Sequence, residues 1–357
     1  MQDMTGQQAR VIVVGAGLAG LTVAVGLSAA GMTVTVLEAA DRIGGRIGAQ
    51  SGCDLGPTWV WPAWQPIVTH WLDRLGVQTF AQWDDGDGLL DGYGGPVRRH
   101  PLPGQPGIAR IVGGPAALID ALAARLPDGV VRLGRAVDAV APATVGLSVM
   151  SCGQVLTADH VVLALPPRVG LDRLGPFAPA IDAAMRDSPT WMAQQAKIAA
   201  TYPRPFWRDA GLSGRVASRT GPLVEIHDHS PATGGTGALF GFCGWDATMR
   251  AADPDGLRKA ILAQLVRCFG PQAGTPDDLI VMDWAQEPLI CATTDRRGPP
   301  QHPEVGPDIL RQAHLGGRLW FAGAETAADH PGLIAGALHA GQSTAQRIIA
   351  GLQASRP

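Results

Sequence analysis

Residues 10–46, RVIVVGAGLAGLTVAVGLSAAGMTVTVLEAADRIGGR, decide the fold. Residues 11–14 have the length and β-branching of a buried strand, and Gly15, Gly17 and Gly20 then supply G-x-G-x-x-G at the turn into a helix. The first glycine permits a tight turn, the second lets a pyrophosphate approach the backbone, and the third lets the helix pack closely on the strand. Leu18 and Ala19, at the start of that helix, offer unpaired N–H groups and a positive dipole end to phosphate. After Gly31, a second strand over residues 33–37 delivers Glu38, followed by Ala39, where a carboxylate accepts hydrogen bonds from ribose hydroxyls. The spacing suits a dinucleotide with a free 2′-OH.

Beyond the acid, Asp41-Arg42-Ile43-Gly44-Gly45-Arg46 adds two glycines and an arginine. Gly44 and Gly45 allow a second close backbone approach to the cofactor, and Arg46 can add a charge-assisted hydrogen bond to phosphate or flavin. Arg42 reads equally as a solvated loop charge. The extended pattern resembles that of the flavin-dependent amine oxidases and their glutathione-reductase-like relatives, and it is not usual in NAD dehydrogenases.

Bulk properties bound the alternatives. A chain of 357 residues is long enough for two intimately joined domains and a large core, and a formal charge of −3 with scattered arginines gives no footprint for nucleic acid. Five cysteines lie far apart without a C-x-x-C pair, so neither a metal site nor a disulfide scaffold is expected. Residues 11–37 carry no charge and could pass for a membrane span on hydropathy, but their glycines fall at fingerprint positions, so a cytoplasmic protein with no membrane partner is expected.

Further along, a helix is expected over residues 65–75, a loop or hairpin in the polar, glycine-rich residues 84–95, and a helix from Gly113 to Leu126. Short strands follow at residues 130–133, 136–140, 146–149 and 161–165. An alternating strand is expected around Lys197, a helix over 256–269, a strand over 318–321, a turn at 322–325 and a last helix over 332–351.

The closing segment, RLWFAGAETAADHPGLIAGALHAGQSTAQRI from Arg318, resembles the C-terminal flavin motif of the monoamine oxidase family. The resemblance covers nearly the whole chain and is sharp at residues 11–46, 54–59, 197–208 and 318–340. It implies an α/β protein: a Rossmann-like, glutathione-reductase-like FAD-binding domain from residues 10–75, 106–170 and 280–357, and a discontinuous α+β substrate domain from 76–105 and 171–279. It places Gly323, Glu325, Gly332, Leu333, Ile334, Val137 and Trp284 at the cofactor, with Glu325 near the ribityl or pyrophosphate region. Asp54-Leu55-Gly56-Pro57-Thr58-Trp59 resembles the segment in which small residues let the backbone lie along the flavin ring.

Lys197 is the catalytic candidate. Only Lys197 and Lys259 are lysines among 28 basic side chains, and Lys197 sits in the otherwise uncharged AQQAKIAATY. KIAATYPRPFWR resembles the family strand whose lysine holds a water against flavin N5. Two departures stand out. The family's two cage tyrosines are matched by Thr294 and Leu333, and the cysteine that anchors flavin in some members is matched by Thr293, with Cys291 two residues off. The cofactor is therefore expected to be noncovalent FAD. Trp59 occupies the place of a carboxylate-gripping arginine in amino-acid oxidases, which makes an α-amino acid a poor substrate. Trp59, Thr294, His330 and Leu333 are the expected substrate-pocket residues.

The implied reaction passes hydride from an amine-bearing carbon to flavin N5, releases an imine for hydrolysis, and returns electrons to O2 as H2O2, in a monomer or homodimer. A carbon–carbon desaturase of the same fold, or a flavin-binding protein without amine turnover, are the alternatives.

Overall fold

The structure is a computed structural model describing residues 9–297 and 301–354. Strand β1 (Arg10–Val14), helix α1 (Leu18–Ala29) and strand β2 (Thr33–Leu37) realise the opening motif. β1 pairs in parallel with β2 on one side and with His160–Leu163 on the other. Val131–Arg132 beside β2 and Leu319–Phe321 beside His160–Leu163 complete a five-stranded parallel sheet, so segments remote in sequence meet around the opening motif. Parallel strands buried on both faces read as continuous apolar runs, as VIVV does.

α1 is buried almost all round because it lies between the sheet and the C-terminal helix, Ile334–Ala354. Small residues set the separation of the helices. A Cβ on Gly341 would approach the Ala19 carbonyl oxygen to 2.6 Å. A Cβ on Gly20 would lie 2.0 Å from the Gly15 carbonyl oxygen, which gives the third glycine of the motif its packing role.

A second, seven-stranded sheet runs in the order Asp278–Asp283, Ala196–Tyr202, Gly237–Cys243, Leu223–Asp228, Leu212–Ser218, Asp87–Asp91, Arg98–His100. Its pairs are antiparallel except Leu212–Ser218 with Asp87–Asp91. Helix Pro254–Phe269 covers one face, meeting Ile198, Ala200, Leu223, Ile226 and Leu239 in a common core.

One expectation is met in part and one is corrected here. The segment at 84–95, expected as a loop or hairpin, is the first arm and turn of a hairpin, with Asp87–Asp91 paired antiparallel to Arg98–His100. The Lys197 strand does not alternate between solvent and core: all seven of its residues are buried, since Ile198 and Ala200 face the helix while Lys197 and Ala199 face the interior of the molecule.

Candidate active site

A cavity of about 840 Å³ runs from the G-x-G-x-x-G turn to the face of the seven-stranded sheet. That volume lies toward the upper end of the ~300–1,000 Å³ of small-molecule sites. Of the expected cofactor residues, its wall includes Gly15, Gly17, Leu18, Ala19, Glu38, Ala39, Gly44, Gly45, Arg46, Gly56, Pro57, Thr58, Trp59, Val137, Trp284, Gly323, Gly332, Leu333 and Ile334. Lys197 and Phe242 close it on the sheet side.

The turn end is built to receive an anion. Gly17 caps α1 without a side-chain hydrogen bond, so nothing from a cap side chain competes for the helix's N-terminal N–H groups. Gly44 pairs with Gly17 through an isolated bridge and donates its N–H to the Ala16 carbonyl at 2.8 Å, bringing the second glycine pair against the first. Glu38 accepts from the Ala16 N–H at 2.6 Å and the Ala40 N–H at 2.9 Å. Those two bonds fix the carboxylate at the wall and leave lone pairs for ribose hydroxyls.

In the middle, backbone forms the wall. A Cβ on Gly56 would sit 1.9 Å from the Arg46 carbonyl oxygen, so the chain crosses itself there at glycine distance. Trp284 Nε1 donates to the Leu55 carbonyl at 2.9 Å and pins that crossing. Arg42, left open between solvent and site, donates to the Ile43, Gly45 and Ile47 carbonyls and ties the loop.

Arg46 lies on the cavity wall as expected, whereas Glu325 does not reach it. Glu325 is fully buried and not on the cavity wall, and both of its oxygens bind Arg46, at 2.6 and 2.9 Å. The guanidinium fork matches a carboxylate bidentately, so Glu325 is held inside the fold while Arg46 keeps part of its side chain at the cavity. Trp191 completes the clamp, donating its N–H to Glu325 at 3.3 Å and accepting from Arg46 at 3.2 Å through its carbonyl. Trp191 and Met192 line the cavity, and Met192 holds a φ of +61°, a rare conformation for a side chain of its size.

The expected substrate pocket is also revised. Thr294 and His330 are exposed and lie off the wall, whereas Trp59 and Leu333 are on it. Thr294 belongs to a short 3-10 turn, Thr293–Arg296, whose buried member is Asp295, held by Arg168 at 2.5 Å. Cys291 is buried, and burial pushes its thiol up to about 11.

Cross-strand pairing supplies the aromatic wall instead. Lys197 faces Phe242, which faces Glu225; one row on, Ala199 faces Phe240, which faces His227. Trp59 packs edge-on against His227, Phe240 and Phe242 at centroid distances of 4.9, 5.3 and 6.4 Å. Its indole N–H donates to Gln82 Oε1 at 2.8 Å, which holds the ring in place. The aromatic positions were hidden because they come from a strand with no motif, 40 residues beyond Lys197.

Lys197 is 2% exposed. Its Nζ donates to the Gly56 carbonyl at 2.9 Å and to the Thr58 hydroxyl, and lies 4.3 Å from the centroid of Phe240. Burial drives its pKa down to about 7, opposed by Asp54 and reinforced by Arg110. A neutral amine has two N–H donors, the number of acceptors present, and retains a lone pair; an ammonium keeps a third N–H to offer.

Three buried polar residues lie behind it. Burial raises Asp54 to about 6 against the pull of Lys197 and Arg110. The Asp54 N–H donates to His229 Nε2 at 2.9 Å, so that nitrogen has no proton for the Asp54 carboxylate 3.5 Å away and the two do not form an ion pair. Burial holds His229 well below its usual range and therefore neutral. Arg110 donates to the Ser230 carbonyl at 2.7 Å and the His229 carbonyl at 3.1 Å.

Among the described residues no helix is long and apolar enough to cross a membrane, and no cluster of His, Cys, Asp and Glu could hold a metal ion. Comparison with known proteins agrees with this geometry. The chain is 30% identical over 244 residues to the flavin-containing monoamine oxidase AofH of Mycobacterium tuberculosis, covering 68% of this chain and 52% of that protein. It is 26% identical over 242 residues to the L-amino acid dehydrogenase of Synechocystis, covering 66% and 50%. The match thus spans about half the length of these curated relatives. Among solved structures, the cyclohexylamine oxidase of Brevibacterium oxydans superposes with a TM-score of 0.83 over 97% of this chain and all of that one, at 22% identity. Putrescine oxidase bound to putrescine gives 0.78 over 96% and 99%, also at 22% identity, a likeness of fold. The family described as flavin containing amine oxidoreductase matches residues 18–104 and 89–349. On that match the chain belongs to the flavin-containing amine oxidoreductases, and its cofactor is a flavin.

Proposed function

We propose that the protein oxidises a small-molecule amine with noncovalently bound FAD and O2, giving an imine that water hydrolyses, and H2O2. When bound, FAD supplies the two-electron redox chemistry. The residues present fit it. The unblocked helix N-terminus of α1 and the paired glycine turns suit a pyrophosphate, Glu38 suits a ribose diol, and the glycine crossing at Gly56 leaves a flat backbone wall with room for a ring. Arg46 and Glu325 hold Trp191 and the two flavin motifs together, with Arg46 left at the wall within reach of the cofactor.

The observation that carries the reading is Lys197, an amine buried at the cavity wall with two acceptors and no carboxylate among its hydrogen-bond partners. In its neutral form its lone pair can take a proton from a substrate ammonium or from the water that attacks an imine; in its charged form it favours developing negative charge. Phe242 and Trp59 shield that position from solvent, and Glu225 lies one strand beyond Phe242. A substrate carboxylate would meet Glu225 there, which favours amines without an α-carboxylate. The lysine also favours amine oxidation over carbon–carbon desaturation, which needs no water-activating base.

The test is anaerobic mixing of the flavin-loaded protein with aryl-alkyl amines, polyamines and amino acids, followed by peroxide detection on readmitting air. Flavin bleaching by an amine and a loss of about 10²–10⁴-fold in turnover for Lys197→Met are expected. No bleaching by any amine, or unchanged turnover in Lys197→Met, refutes the reading.

A further inference from the structure

We propose that Asp54, His229 and Arg110, none of which contributes to the cavity wall, form a buried positioning unit that fixes the proton occupancy of Lys197. The proposal rests on the reading of Lys197 as the working amine and adds how its state is set. Asp54 lies two residues before Gly56 and four before Thr58, the two groups that hold Nζ, so its placement and theirs are fixed together. His229 links both charges: its ring accepts from the Asp54 backbone, and its carbonyl accepts from Arg110.

The two charges attract each other without a hydrogen bond between them. Both Nη atoms of Arg110 are spent on carbonyls, not on the Asp54 carboxylate, and Arg110 Nε and His229 Nδ1 have no partner among the described residues. All three side chains are at most 5% exposed, so water screens little. An anion and a guanidinium therefore act on one buried amine with opposite sign: Asp54 favours the ammonium and Arg110 the amine.

Glu225, one strand beyond Phe242 in the same row, is half exposed and engaged by His227, and the other, nearer groups around Lys197 carry no charge. Cys53, beside Asp54, is a thiol pushed up to about 11 by burial, His229 is neutral, and Phe240 and Phe242 offer ring faces that favour the ammonium. The balance of Asp54 against Arg110 is what remains to tune it.

The composition of the chain makes this directly measurable. With only two lysines, ¹³Cε labelling of the purified full chain with its flavin gives two lysine signals, and Lys259, exposed on helix Pro254–Phe269, is assigned by Lys259→Arg. Asp54→Asn is expected to move the Lys197 titration midpoint down by about one pH unit, and Arg110→Gln to move it up by a similar amount. His229→Gln, whose amide oxygen can accept from the Asp54 N–H, is expected to leave it in place. The pH profile of turnover should follow in the same directions.

A merely structural role would not move the two charge variants oppositely. Midpoints that stay put, or that move the same way in both, overturn the proposal. If Arg110→Gln does not fold, Asp54→Asn decides alone: a fall supports the proposal, and no change or a rise refutes it. Unchanged turnover in Lys197→Met would remove the catalytic reading while leaving the midpoints intact, so the two failures are distinguishable.

Discussion

Breaking the Arg46–Glu325 clamp should reveal which partner depends more on the other. Glu325 has no exposed side-chain surface, whereas Arg46 keeps 22% of its own. Arg46→Met would strand a carboxylate that no water reaches, also bonded to the Trp191 N–H, and removing one partner of a buried pair costs about 3–5 kcal/mol. Glu325→Gln strands a guanidinium that reaches solvent at the cavity and still holds the Trp191 carbonyl, so about 2–3 kcal/mol is expected after discounting for that exposure. The double variant Arg46→Met/Glu325→Leu removes both charges and should regain most of the loss, because an apolar pair of similar volume often replaces a buried ion pair without cost. The assay is urea unfolding of the flavin-free chain, with flavin fluorescence on heating as a second readout. At about 2–4 °C per kcal/mol for larger domains, Arg46→Met should release flavin roughly 6–20 °C below the parent. A larger cost for Glu325→Gln than for Arg46→Met, or a double variant as unstable as the sum of the singles, would refute the assignment of a buried structural clamp.

Other expectations follow from the same geometry. Gly56→Ala places a methyl 1.9 Å from a backbone oxygen that has no side-chain freedom, so purified protein should carry far less flavin than the parent, as read from the ratio of visible to ultraviolet absorbance. Thr58→Val keeps the shape but removes an acceptor that favours the ammonium, so the pH profile of turnover should shift toward lower pH; a shift upward would count against the Lys197–Thr58 bond. Lys197, its pKa lowered by burial, is protonated in the unfolded chain up to about 10.4 but only to about 7 when folded, so it destabilises the fold most fully below pH 7, and the penalty fades as pH rises between those values. Lys197→Met should therefore raise the stability at pH 7 by up to about 5 kcal/mol and flatten its rise toward pH 10; equal stability curves for parent and variant would refute the desolvation.

The sequence made the cofactor end legible because its constraints are local. Gly15, Gly17, Gly20 and Glu38 act through turn geometry and helix ends, and a fixed spacing in the chain becomes a fixed spacing in space. Beyond that stretch the constraints are relational. Asp87–Asp91 reads as loop or hairpin by its glycines, and its place inside the seven-stranded sheet comes from neighbours at Leu212–Ser218 and Arg98–His100. Arg46 and Glu325, 279 residues apart, read as separate groups because sequence shows their charges and not their mutual distance.

The aromatic wall and the groups behind Lys197 are the extreme case. Phe242 and Glu225 reach the cavity only because antiparallel register sets them in the row of Lys197, and a shift of one residue in either pairing would turn them to the opposite face. Asp54, His229 and Arg110 come from three separate strands or strand ends; Asp54 opens a recognisable segment, but nothing in the sequence neighbourhoods of His229 and Arg110 distinguishes them from surface polar residues. What distinguishes them is desolvation. Placing an acid, an imidazole and a guanidinium in the interior has no return in packing, since apolar residues of similar volume would fill the space with less loss of hydration. Their effect on the one amine at the cavity wall supplies the return that packing does not.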